Sequence, residues 1–596
     1  MNRIVVVLVA ISACGLIAWY ATRPEPAPPE SVAEAVGFAG LDEELQKKIW
    51  DREHFTFEIE KKFGKLFSKA IQTSPQKMAP LFLDPFVGSI PAETVGEEIG
   101  ELWWQQATVG GGENNQTATA AEVAEQLVQL LTDFKVVDSL KLKILKIKPT
   151  AEESSKEHPS KWDVDILLLA TGRRSDHGPI SLDAAHRATL HFRDDEDIEQ
   201  GNILAAWHIG KSFIRSAPEK FMQDITAEVG LAIGPGNPEL VLWDNWTAET
   251  QFPPAHYNLQ LAAADFDKDG FVDIAISGRR NDQYLLRSVA GKSFENVASK
   301  MGLPNGRGRK QVANSPMHIA TWFDYNNDGY PDLILGDAIY KNLSGESFVE
   351  VTAETGIRLE GAIFGCAIAD FDCDRWPDLY LLNHGVGRPT ETNQGYIDDA
   401  QSGEENHLWR NRGDGTFEEV TATAGVGGGL RNSFAASWFF ANEDHYPDLY
   451  VANDFGTNQL YINHGDGTFT DIAKDAGVGD FATSMGVISG DLDGDGGPEV
   501  YVANMFSKMG RRIIANVSKT DYPEGVYEQI LGSCSGNRLY RTDLGKNQYA
   551  EISEAVGVNR VGWAYAPGMA DFDADGFLDL YAATGEFSFD REKPDG

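Results

Sequence analysis

One short loop, repeated, constrains this chain more than anything else in it. Its clearest copy lies in ADFDKDGFVDIAISG, Ala264 to Gly278, with Asp265, Asp267, Asp269 and Asp273 at relative positions 1, 3, 5 and 9. An apolar run enters the loop and a β-rich run leaves it. Like charges about 4 Å apart repel by about 1 kcal/mol even in water, so four carboxylates packed this tightly call for a counter-charge. Oxygen-only donors suit a hard cation, calcium foremost. Gly270 permits the tight turn because it takes positive φ without a Cβ penalty.

Four further copies are intact. DYNNDGYPD offers Asp324, Asn326, Asp328 and Asp332, and DFDCDRWPD offers Asp370, Asp372, Asp374 and Asp378. DLDGDGGPE offers Asp491, Asp493, Asp495 and Glu499, and DFDADGFLD offers Asp571, Asp573, Asp575 and Asp579. A damaged copy, FANEDHYPD, keeps Asn442, Asp444 and Asp448 but has Phe440 in place of the first acid. Loop starts at 265, 324, 370, 440, 491 and 571 mark a recurring unit of propeller or solenoid size.

Each loop is followed by an alternating run such as DLYLLN, DLYVAN or EVYVAN, then by a second run such as NHLWRN, NQLYIN or NRLYRT. A Gly-Asp-Gly turn then leads into TFEEVTATAGV or TFTDIAKDAGV, echoed by SFENVASKMGL, SFVEVTAETGI and YAEISEAVGV. Short β-branched and aromatic runs between Gly, Asn and Asp are strand and hairpin signals. Each unit therefore reads as four antiparallel strands with the acidic loop joining the first two, which is a propeller blade. The expected fold is mainly β, a propeller of six blades, or seven if ELVLWDNW within 234–257 is a degenerate one. The last unit lacks its third and fourth strands before Gly596, while the fourth-strand phrase FMQDITAEVGL stands at Phe221–Leu231. A strand pair near Ala205–Thr226 is therefore expected to close the ring and hide its sheet edge.

The DxDxDGxxD loops and F-x-(D/E)-(V/I)-(T/A)-x-x-(A/T)-G-(V/L/I) phrases resemble FG-GAP/VCBS repeats. Within that group they look most like the cartilage acidic protein (ASPIC/UnbV-associated) branch, and more distantly like integrin α-subunit propellers. The resemblance covers roughly residues 221–596 and implies a calcium-stabilised, extracellular or surface propeller that mediates binding. Three departures stand out: Arg375 replaces the usual Gly in the third loop, the fourth lacks its first acid, and no further C-terminal domain is expected after the propeller.

The side chains at positions 1, 3, 5 and 9, the carbonyl at position 7 and a water would supply the 6–7 oxygens calcium prefers, giving about five sites. Asn326 and Arg375 weaken the second and third sites, and the fourth is expected to be empty. The net charge of -39 argues against nucleic acid, whose phosphates it would repel. An acidic solvated surface explains that total but not the 1-3-5-9 spacing. Four cysteines are too few for a disulfide scaffold. Cys366 and Cys373 flank the start of the third loop and are candidates for pairing, while Cys14 lies in the N-terminal apolar run and Cys534 reads as a lone thiol.

Residues 1–23 read as a signal-anchor or signal peptide and 24–40 as a Pro-rich linker. Ile4–Ala21 is uncharged over 18 residues, about 27 Å as a helix and close to a bilayer core. An uncleaved anchor, a cleaved signal peptide and a lipoprotein signal around Cys14 all fit. All three put the bulk of the chain outside the cytoplasmic membrane, tethered or secreted.

Residues 41–216 read as an α+β domain: an amphipathic helix over Leu41–Ile71, another over Ala120–Phe134, then long strands. Its pattern faintly resembles the NTF2/SnoaL-like fold. Trp103, Trp104, Trp162, His186, His191 and His208 either line a pocket or are ordinary core and strand residues. The run Ile203–Ile214 is claimed both by this domain and by the closing blade. Residues 217–596 form the propeller.

No catalytic motif of the GxSxG, HExxH or P-loop kind is present. The leading expectation is a non-catalytic, membrane-tethered, calcium-binding propeller with a surface protein or glycan as partner. The alternatives are an extracytoplasmic polysaccharide lyase or hydrolase, with His256, Tyr257, His318 and Arg388 as loop candidates, or small-ligand binding by the α+β domain. Asn115, Asn245, Asn342 and Asn516 fit the glycosylation pattern.

Overall fold

The computed structural model describes residues 43–91, 98–99, 105–109, 115–156, 158–210, 212–216, 225–226, 228–231, 259–278, 282–304, 319–359, 363–384, 403–515, 517–521, 525–543, 546, 548–572 and 574–584. The protein is mainly β and divides into two compact units. One contains Gly40–Gln223 together with Lys508–Tyr527, and the other contains Asp224–Ser507 and Glu528–Gly596. Among the described residues no helix is long and apolar enough to cross a membrane. The candidate anchor Ile4–Ala21, Cys14 and the 234–257 run lie outside the described residues.

In the unit containing Gly40–Gln223, helix α1 (Glu43–Glu58) runs through a π-helical turn (Ile59–Phe63) into α2 (Gly64–Ile71). Helix α3 (Ala120–Gln129) starts at a reciprocal cap between Thr119 and Glu122, the S/T-x-x-E arrangement that satisfies two otherwise unpaired N–H groups. The helices cover a nine-stranded sheet. Its principal strands are β1 (Phe82–Pro91), β2 (Val136–Pro149), β3 (Lys161–Arg173), β4 (Pro179–His191), β5 (Leu204–His208) and β6 (Ser212–Ser216). Buried residues alternate along β3 and β4, the period-2 pattern of a sheet with one face in the core. That face meets Phe63, Phe67, Val123 and Leu127 from the helices.

The aromatic and histidine candidates of this unit are structural where they are described. Trp162 stacks on Phe192 at 5.6 Å between ring centroids, and Trp207 stacks on Phe67 at 5.2 Å. His186 is buried and its Nδ1 accepts the Gly210 N–H at 3.1 Å. Burial pushes its pKa down to about 3, so the ring is neutral. His208 Nδ1 lies 2.9 Å from Ser89 Oγ, and His191 is an exposed strand residue. Trp103 and Trp104 lie outside the described residues.

The closing-strand expectation is corrected at this point. β5 pairs with β4 and, in parallel, with β1, while β6 pairs with β4 and Gln105–Val109. β5 and β6 thus belong to the nine-stranded sheet. The alternation that made them strand-like is satisfied by β4, whose long far edge accommodates both short strands end to end.

In the other unit five consecutive repeats each run through four antiparallel strands in sequence order; the first three are separate four-stranded sheets, and the fourth and fifth join into one eight-stranded sheet through Asp448–Thr457 and Phe481–Gly490. Their first two strands are Leu259–Ala264 and Asp273–Gly278; Ile319–Phe323 and Asp332–Gly336; Ile363–Ala369 and Asp378–Asn383; Ser433–Phe439 and Asp448–Thr457; Phe481–Gly490 and Glu499–Asn504. The sixth repeat is described as one strand pair, Ala564–Ala570 with Asp579–Thr584. Every acidic loop joins a first strand to a second strand.

After the fourth strands of repeats two to five, a (T/A/S)-x-x-x-G phrase forms one helical turn that ends on a left-handed glycine, and in the first repeat the same place is a turn ending on Gly302. In repeats one to four this turn packs on the fourth strand of the next repeat. The Phe348 N–H donates to Met301 O at 2.7 Å, and a Cβ on Gly302 would lie only 2.8 Å from Phe348 O. The stretch preceding the first repeat behaves in the same way, with Phe294 N–H donating to Val229 O at 3.1 Å.

Candidate metal centres

Within an intact loop, the carboxylate at position 1 collects the backbone N–H groups of positions 5 and 6. In the first loop, Asp265 Oδ1 accepts from Asp269 N at 3.0 Å and Oδ2 from Gly270 N at 2.9 Å. Asp370 does the same for Asp374 N (2.9 Å) and Arg375 N (2.8 Å), and Asp571 for Asp575 N and Gly576 N. Position 5 in turn accepts the N–H of position 7, as Asp269 does from Phe271 at 2.9 Å. These bonds wind the chain through left-handed residues at positions 4 and 6: Lys268 and Gly270, Asn327 and Gly329, Cys373 and Arg375, Gly494 and Gly496, Ala574 and Gly576. Arg375 holds φ at 76° without being glycine, as its place in the pattern implied.

The winding turns the acids towards one another. Asp265, Asp267 and Asp269 offer oxygens within 4.8 Å of one another, as do Asp370, Asp372 and Asp374, and Asp491, Asp493 and Glu499. The second loop has the same bonds through Asp324, Asn326 and Asp328. In the sixth, Asp571 and Asp575 follow the pattern and Asp573 lies outside the described residues.

Position 9 plays a different part in four repeats. Asp273, Asp332, Asp378 and Asp448 are buried, and each accepts two backbone N–H bonds, one from the second loop residue and one from the third strand. For Asp378 the donors are Phe371 N at 3.0 Å and Asn411 N at 2.8 Å. Burial pushes these carboxyls up, to about 6 for Asp273, 7 for Asp332, 8 for Asp378 and 6 for Asp448. Glu499 is one methylene longer. Its Oε2 accepts Leu492 N at 2.8 Å, its Oε1 is buried with no hydrogen-bond partner, and one of its two oxygens lies within 4.8 Å of oxygens of Asp491 and Asp493.

The donor set fits a hard cation. Asp372 Oδ1 and Glu499 Oε1 are buried oxygens without partners. Burial, then the Asp374 charge, raises the Asp372 carboxyl above the usual range; burial, then Asp493 and Asp495, does so for Glu499. Buried unpaired acceptors beside like charges are costly until a cation reaches them.

One contributor went unread in the sequence. Asn342, Asn411 and Asn463 end the third strands of repeats two to four. Each donates its backbone N–H to position 9 of its own loop. Its side-chain Nδ2 reaches the preceding repeat's loop: Asn342 to Phe266 O, Asn411 to Tyr325 O and Asn463 to Phe371 O, at 2.8–2.9 Å. The recurring YKN, WRN and YIN endings were the signal. Asn342 is therefore buried and stapled, which withdraws it as a glycan acceptor. Asn115 is exposed, and Asn245 and Asn516 lie outside the described residues.

Among the described residues, Cys366, Cys373 and Cys534 form no disulfide. Cys366 points from its strand to Thr321 Oγ1 at 3.0 Å, whereas Cys373 sits on the exposed loop, so the pairing expectation is withdrawn. The enzymatic candidates His256, Tyr257, His318 and Arg388 lie outside the described residues.

Known proteins resemble this chain over part of its length. The FG-GAP-like repeat family matches residues 265–335, 324–381 and 441–502. Cartilage acidic protein 1 of Homo sapiens is 25% identical over 408 residues, covering 56% of this chain and 57% of that protein. The Mus musculus and Xenopus tropicalis proteins are each 24% identical, covering 56% and 54% of this chain and 58% and 52% of theirs. The chain thus spans little more than half the length of the curated relatives it matches. A solved structure, the V. cholerae biofilm matrix protein Bap1, aligns with a TM-score of 0.24 and 13% identity over 49% of this chain and 40% of its own, too remote to inform the fold. The repeats, their strand order and these relatives agree: the chain carries FG-GAP-like repeats and is related to cartilage acidic protein 1.

Proposed function

We propose that the protein is an extracytoplasmic, calcium-stabilised propeller of six repeats that binds a surface protein or a glycan and performs no catalysis. The convergence of acids at positions 1, 3 and 5, with orphaned oxygens on Asp372 and Glu499, carries the calcium reading. Loops one, two, three, five and six would each hold one ion through the residues named above. The metal supplies charge neutralisation, and the chain supplies the winding of positions 4 to 7. Extracellular calcium is plentiful enough to occupy modest-affinity sites, which supports an extracytoplasmic location. Residues 1–23 would act as leader or tether, ahead of the 24–40 linker, the 41–216 α+β domain and the 217–596 propeller.

The binding reading rests on the sequence relationship and on loop surfaces held rigid by metal. Equilibrium dialysis with calcium should find about five ions per chain. Binding to a glycan array or to extracellular matrix proteins should then disappear in chelator and return with calcium. Retention of partner binding in calcium-free protein would refute the link between metal and recognition, and a stoichiometry near zero would refute the metal sites themselves.

A further inference from the structure

The segment Lys508–Tyr527 lies between the second strand (Glu499–Asn504) and third strand (Arg538–Asp543) of the fifth repeat, yet it clusters with the unit containing Gly40–Gln223. The contacts within that unit explain why. Strand β2 pairs on one side with β3, and among the described residues no strand pairs with its other side. Its ladder is interrupted by a register shift between Ile144 and Lys146. There both backbone polar groups of Ile144 are taken by side chains. Its N–H donates to Glu60 Oε1 at 2.8 Å, and its carbonyl accepts from Arg512 Nη1 at 3.1 Å. Lys143 Nζ pairs with the other Glu60 oxygen at 3.0 Å.

Arg512 also grips Glu53 of α1 in a fork, Nε to Oε1 at 3.0 Å and Nη2 to Oε2 at 2.7 Å. Both side chains are buried, at 9% and 8% exposure for the two residues. The planar guanidinium suits such bidentate pairing, which Lys cannot reproduce. A buried carboxylate whose partner is removed is left as an uncompensated charge. A strand edge stripped of its cap exposes backbone groups ready to pair elsewhere.

We propose that Lys508–Tyr527 is a latch that completes the sheet of this unit, with Arg512 closing the free edge of β2 at Ile144 and neutralising Glu53. The unit is therefore discontinuous in sequence: its edge strand and first helix are locked by a segment that the chain delivers only after four repeats and half of the fifth. This inference is independent of the calcium reading.

Hydrogen exchange read by mass spectrometry on the full chain in saturating calcium tests it. Arg512→Met should speed exchange at least tenfold in peptides covering Val136–Pro149 and Glu43–Glu58. Asp332–Gly336 and Asp378–Asn383 should be unchanged. Adding Glu53→Gln to Arg512→Met, which removes the stranded charge, should recover part of the protection. Arg512→Lys, which keeps the charge and loses the fork, should fall between wild type and Arg512→Met, and it keeps the test decisive if Arg512→Met does not fold. Wild-type exchange over Val136–Pro149 in Arg512→Met overturns the latch, as does an equal rise throughout the chain. So does a double variant no better protected than the single one, or an Arg512→Lys variant indistinguishable from wild type.

Discussion

The third and fourth acidic loops sit in adjacent repeats, and one carries the full set of acids while the other lacks its first. Both keep the same frame. Asp378 and Asp448 are buried, and each accepts one N–H from its own loop and one from Asn411 or Asn463. Both asparagines staple back to the preceding loop. The loops part company inside that frame. With Asp370 present, positions 4 and 6 are left-handed even though they are Cys373 and Arg375. With Phe440 in its place, half exposed to solvent, neither Glu443 nor His445 is among the left-handed residues. Position 9 and the asparagine thus build the blade corner, while position 1 winds the acidic loop. The two functions are separable, and loss of the second does not unravel the first.

The largest effect that separates them is calcium removal. A site at a hundredfold excess over Kd contributes about 2.7 kcal/mol, so stripping about five sites should lower the melting temperature steeply in a calorimetric scan with and without chelator. An unchanged melting temperature would mean that the loops hold themselves. The gap should widen with pH. The buried position-9 carboxyls have folded-state values raised to about 6–8, so the metal-free protein keeps their protonation-linked stability at about pH 4 and loses it as pH rises through that range. The melting-temperature difference between calcium and chelator should therefore be larger at pH 8 than at pH 5.

Next in size is the frame itself. Asp448→Ala strands two buried N–H groups, at about 1–3 kcal/mol each. Denaturant unfolding in chelator should show a loss of about 2–6 kcal/mol, and Asp378→Ala should match it under the same conditions. A much smaller loss for Asp448→Ala would place the corner's strength elsewhere. Restoring the missing acid by Phe440→Asp, with His445→Gly to free position 6, should add one calcium per chain by titration calorimetry and about 2.7 kcal/mol at a hundredfold excess over its Kd. The smallest change is Arg375→Gly, which relieves a left-handed non-glycine residue and should stabilise by about 1 kcal/mol; a loss of stability would mean that the arginine side chain has a role of its own.

Much of this was legible in the sequence because the signals are local. The spacing of Asp265, Asp267 and Asp269 specifies a loop whatever surrounds it. The DLYVAN and NQLYIN runs specify strands by alternation, whereas the helical turn after the fourth strand lies inside phrases that read as strand. The asparagine ending the third strand in repeats two to four was visible, but its partner, a carbonyl in another repeat, was not. The same limit explains Leu204–Ser216: its strand character was plain, but whether it joined β4 or the last repeat depended on partners far apart in the chain.

By itself, then, the sequence determined the repeat, its four strands and the acids that wind each loop, because hydrogen bonds between residues a few positions apart are encoded in short patterns. The tertiary structure alone decided that position 9 is a buried corner post, that Glu53 and Ile144 await Arg512, and that Cys366 and Cys373 stay apart. Each of those depends on which distant groups meet once burial has made an unpartnered charge or backbone group too costly to leave alone.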